Sequence, residues 1–282
     1  QVHGEDKGKE LPTLVVANSR RVQESLRTLE ELAKIPGMYP ELDSEKFKHA
    51  RFNLYTIEQA LFSLIIRKDK IQQLKGLYII IDTQALRGHS HIEMARRVIN
   101  GGARIIQLRD KMSNKRQLLT IAQQLKELCA EHNVLFIVND HLDIALATGA
   151  DGVHVGQEDL PVKAARKLIP ADTILGCSVT TVELAMAAQS EGADYLGVGA
   201  MYATSSKETV TVVGLGRLRE VRQAVALPLV AIGGITMDNA SEVIAAGADA
   251  VAMISAILHA GDAEETARQI IKRLEAQNEE AD

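Results

Sequence analysis

Four short phrases of similar sequence recur along the chain after residue 76. They are NGGARIIQ, TGADGVHV, EGADYLGV and AGADAVAM, and in each a glycine separates a helical pattern from an apolar run. Glycine is favoured at a helix C-terminus because it adopts the left-handed conformation without a steric penalty. The repeat therefore predicts that a strand follows a helix directly at Gly101 or Gly102, Gly149, Gly192 and Gly247.

The same alternation extends from the apolar run 77–82 to a helical pattern over 264–274, and it comprises eight strand–helix units. Strands that alternate with helices predict a parallel sheet with right-handed crossovers. Eight units are the number that closes a (β/α)8 TIM barrel. An open doubly wound sheet is the alternative, but no GxGxxG sequence follows the first predicted strand.

The first 75 residues have a different pattern. Apolar residues three or four positions apart predict two helices, over about 16–35 and 43–74, separated by Pro36 and Gly37. Two such helices form a hairpin that is too small to bury a core of its own. We therefore predict an N-terminal helical hairpin over 1–75 and a barrel over 76–282.

Composition excludes several classes of protein. A net charge of −5 argues against a broad basic surface for nucleic acid. No apolar run approaches the roughly 20 residues of a membrane span, and the N-terminal residues lack the apolar core of a secretory signal. Two cysteines form no disulfide framework and fit a reducing compartment. We expect a cytoplasmic protein that binds neither nucleic acid nor membrane.

Polar side chains follow the predicted strands where a barrel carries its chemistry. The carboxyl ends of parallel barrel strands share one mouth, and active sites form there. Gln107, Arg109 and Lys111 alternate along one such strand, which places them on one side of it. Basic and amide groups at a strand tip predict an anion site, whereas an ordinary solvated strand end is the alternative.

Two carboxylates, Asp140 and Asp159, follow neighbouring predicted strands without an adjacent basic residue in the sequence. Mg²⁺ accepts such sparse oxygen ligation, because water and substrate phosphates complete its shell. Two alternatives remain open. Asp140 would cap the helix that follows it, or Asp82 would contribute to the metal site instead.

The loop over 199–214 is long and rich in serine and threonine, with Thr204, Ser206 and Lys207 close together. It is interpreted as a lid that brings charge over a phosphate, or alternatively as a solvated insertion. Gly234 and the pair Ile254–Ser255 follow the last two predicted strands, where such barrels offer backbone N–H groups to phosphate.

Two further residues are expected to be structural. His154 alternates with valines inside VHVGQ, which favours a packed, hydrogen-bonded histidine over a catalytic base. Cys177 is interpreted as a small core residue and not as a nucleophile.

Several motifs occur together in one order: QLRDK, VND, HVGQED, the strand end at Ser178, GVGAMYATSSK, AIGGI and MISAI. Over about 77–274 they resemble the thiamin-phosphate synthase family. The resemblance implies that 4-amino-2-methyl-5-(diphosphomethyl)pyrimidine is coupled to thiazole phosphate, with Mg²⁺ as cofactor and pyrophosphate released. It implies C–O cleavage to a pyrimidine methylene cation, which the thiazole nitrogen captures without a general base.

The resemblance also implies roles for individual residues. Those implied to contact the pyrimidine diphosphate are Gln107, Arg109, Lys111, Asn139, Ser178 and Lys207. Arg109, Lys111, Ser178 and Lys207 are implied to be catalytic. The residues implied to hold the thiazole phosphate are Thr204, Ser206, Gly234, Ile254 and Ser255. Asp140 and Asp159 are implied to bind Mg²⁺.

The chain departs from the family pattern in its lid, where Ala200 and Ala203 replace prolines and predict a looser loop. The N-terminal hairpin resembles a helical domain fused ahead of this synthase in some bacteria. A kinase activity on the pyrimidine monophosphate has been suggested for such domains, but the hairpin has no phosphate-binding glycine loop. We interpret it as an assembly element that packs on the barrel or joins chains into a homo-oligomer.

Two other functions are compatible with a barrel of this kind: a thiazole tautomerase-like relative, and a non-catalytic regulatory module. A tautomerase-like relative is expected to lose the diphosphate-binding residues, which this chain keeps.

Overall fold

A computed structural model describes residues 11–37, 39–204 and 211–279 of the chain. The chain divides into two compact units, residues 1–68 and 69–282. The domain boundary at residue 75 stays a prediction. None of the helices in the described ranges has the length and apolar character that a membrane-spanning segment needs.

The first unit consists of two helices, α1 (Leu11–Ala33) and most of α2 (Ser44–Gln72). Both were predicted, although α1 begins five residues before the expected position. A buried carboxylate joins them, because Glu30 accepts hydrogen bonds from Lys34 (2.9 Å) on its own helix and from Arg51 (3.2 Å) on α2. The hydrogen bond from Lys34 lowers the pKa of Glu30.

The second unit is a closed barrel of eight parallel strands that pair in sequence order, with β1 beside β8. The strands are β1 Gly76–Asp82, β2 Ile105–Arg109, β3 Leu135–Asn139, β4 Gly152–Val155, β5 Ile174–Val179, β6 Tyr195–Gly199, β7 Leu229–Ile232 and β8 Ala250–Met253. The helices are α3 His91–Asn100, α4 Lys115–Glu131, α5 Leu142–Thr148, α6 Val162–Leu168, α7 Val182–Glu191, α8 Gly214–Ala224, α9 Ala240–Ala245, α10 Ser255–Leu258 and α11 Ala263–Glu279. The predicted TIM barrel is confirmed, and the short α10 is an element that the sequence pattern did not predict.

The repeated glycines lie where the helices end. Gly149, Gly192 and Gly247 have φ of 62°, 101° and 109°, values that glycine adopts without strain. At the first repeat, Gly102 has a φ of 101° and Gly101 has a φ of −70°. Gly102 is therefore the left-handed residue of the two.

Two apolar layers hold the barrel together. One lies between the strands and the surrounding helices, and the other fills the barrel interior. The interior cluster consists of Leu74, Tyr78, Ile80, Ile105, Leu135, Ile137, Ile174, Tyr195, Val230, Ala250 and Ala252. Leu74, which follows α2, has no solvent exposure within this cluster.

Glycines in β5 and β6 make room for two rings inside the barrel. A Cβ atom on Gly176 would lie 2.1 Å from Cζ of Tyr195 and 2.5 Å from Nδ1 of His154. A Cβ atom on Gly197 would lie 3.0 Å from Cε1 of His154. A side chain at Gly176 would displace both rings, so the glycine is required for this packing.

We predict that Gly176→Ala lowers the free energy of unfolding by about 1–3 kcal/mol, the usual cost of overpacking a core. The matched control is Gly216→Ala in α8, where an added Cβ would have nothing within 4 Å. This control should be neutral or stabilising by up to about 1 kcal/mol, because alanine is favoured over glycine within a helix. Urea denaturation measures both, and equal midpoints for the two variants would contradict the steric account.

Candidate active site

An ion pair fixes the arginine at the end of β2. Arg109 and Asp82 are register partners on β2 and β1, and Arg109 Nη1 donates a hydrogen bond to Asp82 Oδ2. The other carboxylate oxygen of Asp82 accepts from the backbone N–H of Ala85 at 2.9 Å. Asp82 therefore orients the guanidinium group, which disfavours the alternative that Asp82 is a metal ligand. The further N–H groups of the guanidinium are suited to an anion.

A lysine lies next to the predicted metal ligands. Nζ of Lys111 is 3.4 Å from Oδ2 of Asp140, and the lysine side chain is 59% exposed whereas the Asp140 side chain is 14% exposed. The sequence alone places no cation beside Asp140, since the two residues belong to different strand–helix units. Folding brings Asp140, one carboxylate of the predicted pair, to Lys111, which follows β2.

The carboxyl groups of Asp140 and Asp159 are close enough to shift each other's pKa. Burial, together with the neighbouring Asp159, raises the pKa of Asp140. Burial also acts to raise the pKa of Asp159, but hydrogen bonds from Asp140 and from the backbone N–H of Gly156 (2.7 Å) lower it. Two neighbouring carboxyl groups at adjacent strand ends are a donor set that a divalent cation could use.

The donor set fits Mg²⁺ better than a metal that needs a full protein cage. Among the described residues, no group of three or more His, Cys, Asp or Glu side chains could hold a metal ion. Two carboxylates leave coordination positions for water and substrate oxygens, as is usual for Mg²⁺.

The backbone around Asp140 disfavours its alternative role as a helix cap. The N-cap residue of α5 is His141, whose side chain accepts no hydrogen bond from the helix. Asp140 itself has a φ of 62°, and its backbone N–H donates to the carbonyl oxygen of His154 at 2.8 Å. The alternative that Asp140 caps the following helix is therefore disfavoured, and its carboxyl group pairs with Lys111 instead.

A chain of hydrogen bonds crosses the barrel interior between two predicted substrate-binding residues. Gln107 Nε2 donates to the hydroxyl of Tyr78 at 2.8 Å, and this hydroxyl lies 3.0 Å from that of Tyr195. The Tyr195 hydroxyl lies 3.0 Å from Nδ1 of His154, whose Nε2 lies 2.9 Å from Oγ of Ser178. His154 is thus buried with partners at both ring nitrogens, as expected from the sequence. The two tyrosines were not predicted to be part of the site.

The loops after β6 and β7 pack closely together. The backbone N–H of Tyr202 donates to the carbonyl oxygen of Gly233 at 3.0 Å. Gly234 has a φ of 65°, and a Cβ atom on it would lie 2.7 Å from the carbonyl oxygen of Ala203. This approach alone requires glycine at 234, whatever ligand the loop binds. Thr204 is partly buried where this described stretch ends.

The remaining predicted residues also follow strand ends. Asn139 ends β3 opposite His154 in β4. Ile254 follows β8 and Ser255 begins α10, and both are partly buried. Ser206 and Lys207 lie outside the described residues.

Neither cysteine is suited to nucleophilic chemistry. Both are buried and free, and burial raises the pKa of Cys177 to about 11 and that of Cys129 to about 12. A thiol is nucleophilic only as the thiolate, so these values favour the expected role of Cys177 in packing.

Comparison with known proteins identifies the family. Residues 77–257 match the family model described as thiamine monophosphate synthase. The chain belongs to the thiamine monophosphate synthase family. Residues 1–60 separately match the model described as the ThiD2 family.

Curated relatives of this family carry the same name. The thiamine-phosphate synthase of Methanospirillum hungatei JF-1 is 54% identical over 188 residues, which are 66% of this chain and 91% of the relative. The thiamine-phosphate synthase of Thermosynechococcus vestitus is 40% identical over 269 residues, 94% of this chain and 75% of the relative. The second alignment therefore includes most of the region before the barrel.

A solved structure agrees with these relatives. Thiamine phosphate pyrophosphorylase from Pyrococcus furiosus is 40% identical, with a TM-score of 0.67 over 73% of this chain and 97% of that one. The predicted family, fold and enzyme class are confirmed, and thiamine phosphate synthesis is supported over the tautomerase-like and regulatory alternatives.

Proposed function

We propose that the barrel mouth couples the pyrimidine diphosphate to thiazole phosphate with Mg²⁺ held by Asp140 and Asp159. The observation that carries this assignment is that Asp140 neighbours Asp159 and that Nζ of Lys111 lies 3.4 Å from Asp140. Two carboxylates suit a metal ion, and an adjacent lysine suits the phosphate oxygens that the metal ion would also bind. A Mg²⁺ ion in this position would neutralise negative charge on the departing pyrophosphate.

The protein's own cations act on the same leaving group. Arg109, oriented by Asp82, offers N–H groups in a planar fork, and the exposed Lys111 reaches phosphate as a mobile point charge. Lys207 is proposed to add a third positive charge from the lid. Charges that are fixed before bond cleavage stabilise the transition state with little reorganisation.

The reaction explains why the described residues of the site offer hydrogen-bond donors without an evident general base. The thiazole nitrogen attacks with a free lone pair, so no proton has to be removed from it. C–O cleavage instead places new charge on the departing pyrophosphate. We propose that Gln107, Asn139 and Ser178 complete the binding of the pyrimidine diphosphate around Arg109 and Lys111.

The thiazole phosphate is proposed to bind across the ends of β7 and β8. Ile232 of β7 pairs with Ala252 of β8, so Gly234 and Ile254 lie two residues beyond the same register position. Ser255 follows Ile254, and the loop that carries Thr204 and Ser206 begins beside Gly234. Small residues and backbone N–H groups at these ends support a phosphate site.

The direct test is pyrophosphate release by the purified chain. We expect release only when the pyrimidine diphosphate, thiazole phosphate and Mg²⁺ are all present, with thiamin phosphate formed in equal amount. A regulatory module would bind a substrate without release, and a tautomerase-like enzyme would convert its thiazole without pyrophosphate. Either result would overturn the proposal.

The metal assignment predicts that Asp140→Asn and Asp159→Asn lose most activity and need more Mg²⁺ for what remains. Asp143→Asn is the matched control, since Asp143 follows closely in α5 but pairs with Lys115 at the surface. Steady-state rates across a Mg²⁺ titration measure the effect. Wild-type rates and metal dependence in both site variants would refute the assignment.

The lid assignment predicts that Lys207→Ala lowers kcat more than it raises KM. Removal of one preorganised contact to transition-state charge costs roughly 10²–10³ in rate in other enzymes. The measurement is kcat and KM for both substrates. A variant with only a raised KM would show that Lys207 binds substrate without stabilising the transition state.

We infer that the hairpin serves assembly and not the coupling chemistry. Its helices expose large apolar side chains within their own unit, including Val22, Leu29, Phe52, Ile57, Leu61 and Leu64. The alignment to the Methanospirillum hungatei relative covers 91% of that protein with 188 residues, which leaves little chain there for a hairpin. These observations support turnover by the barrel alone.

A chain that begins at Asp69 should therefore keep kcat within about twofold and lose any self-association of the full chain. This start retains Lys70, which pairs with Asp151 at 3.3 Å, and the core residue Leu74. Turnover and mass in solution are measured on both chains. If the truncated chain unfolds at the same temperature as the barrel of the full chain but has lost turnover, part of the active site lies in the hairpin.

A further inference from the structure

The hydrogen-bond chain inside the barrel can be given a direction that starts from the side-chain amide of Gln107. The amide nitrogen of Gln107 carries only donors, so the hydroxyl of Tyr78 accepts from it. Tyr78 can then donate its own proton to Tyr195, which in turn donates to Nδ1 of His154. A neutral histidine that accepts at Nδ1 carries its proton on Nε2 and donates to Oγ of Ser178.

We propose that this chain is a polarised relay that holds His154 as the Nε2–H tautomer and thereby keeps the Ser178 hydroxyl as a donor toward the substrate. The proposal rests on the proposed function, because it takes Ser178 to contact the pyrimidine diphosphate. Tyr78, Tyr195 and His154 are positioning residues, since they act through Ser178.

The direction of the relay matters for the reaction. If the chain ran the other way, Ser178 would donate to His154 and would present only lone pairs to a diphosphate. Those lone pairs would repel the oxygens of the leaving group as negative charge develops on them. With the Nε2–H tautomer, Ser178 Oγ accepts from His154, and its own proton is left for a phosphate oxygen.

The residues around the relay indicate that its polar side chains do more than fill the barrel interior. Inward-facing neighbours such as Ile80, Ile137 and Ile174 are aliphatic, and aliphatic side chains would fill this space without any need for hydrogen-bond partners. Gly176 and Gly197 instead leave room for the polar rings. Burial also raises the pKa of both phenols, so Tyr78 and Tyr195 keep their protons at neutral pH.

The first test needs no substrate. In the full chain with ¹⁵N-labelled histidine, NMR distinguishes the protonated from the unprotonated ring nitrogen of a neutral imidazole. The His154 signal is assigned among the eight histidines by its loss in His154→Gln. We expect Nε2 to be protonated, and a neutral ring protonated at Nδ1 would overturn the proposal.

The second test is a double-mutant cycle in the full-length enzyme. Tyr195→Phe keeps the ring but removes the donor to His154, and it should lower kcat up to about tenfold, with KM changed less than twofold. In a Ser178→Ala background the same substitution should have no further effect, because its influence passes through Ser178. Tyr55→Phe, at an exposed position in α2, is the control and should leave kcat unchanged.

Additive losses from Tyr195→Phe and Ser178→Ala would show that the tyrosine acts independently of the serine, which would refute the relay. Thermal unfolding checks that Tyr195→Phe is folded, and the NMR measurement decides the tautomer if it is not. Different results would refute the relay and the proposed function. If the wild-type enzyme releases pyrophosphate but His154 is protonated at Nδ1, only the relay is refuted. If the wild-type chain releases no pyrophosphate, the proposed function is refuted.

Discussion

The pairing of β1 with β8 is the constraint on which the rest of the second unit depends. Gly76 through Ile79 align with Ala250 through Met253, and this contact joins the first strand to the last. Because all eight strands are parallel, closure brings their carboxyl ends to one mouth. Arg109, Asp140 and Ser178 therefore share a mouth although they come from separate strand–helix units. Apolar layers on both faces of the sheet leave the strand ends for polar residues.

The balance of charge at this mouth follows from pairwise contacts. Asp82 neutralises and orients Arg109, while Asp140 lies between Lys111 and a second carboxylate, Asp159. Removal of one member would leave a partly buried charge without its partner, which is costly. In the proposed function, a bound diphosphate would take the place of Asp82 and Asp140 as partner of Arg109 and Lys111. A bound metal would in turn take the place of Lys111 as partner of Asp140.

Local pattern in the sequence predicts most of the fold, because the glycine-ended repeats and the alternation of strands with helices are themselves local. Contacts across the barrel cannot be predicted from local sequence pattern. The hydroxyls of Tyr78 and Tyr195 meet across 117 residues of sequence, and the register of eight strands determines this contact. For the same reason Lys111 beside Asp140, and the absence of a cap at α5, became visible only in the structure. Ser206 and Lys207 stay predictions from the family resemblance.

The central claim, that Asp140 and Asp159 hold the metal which binds the departing pyrophosphate, can be observed directly. Crystals of the full chain grown with pyrophosphate and Mn²⁺, in place of Mg²⁺, would locate the metal by its anomalous scattering. The account predicts one peak between these two carboxylates, with pyrophosphate bridging from the metal to Arg109 and Lys111. A metal bound elsewhere, with neither Asp140 nor Asp159 among its ligands, would contradict it.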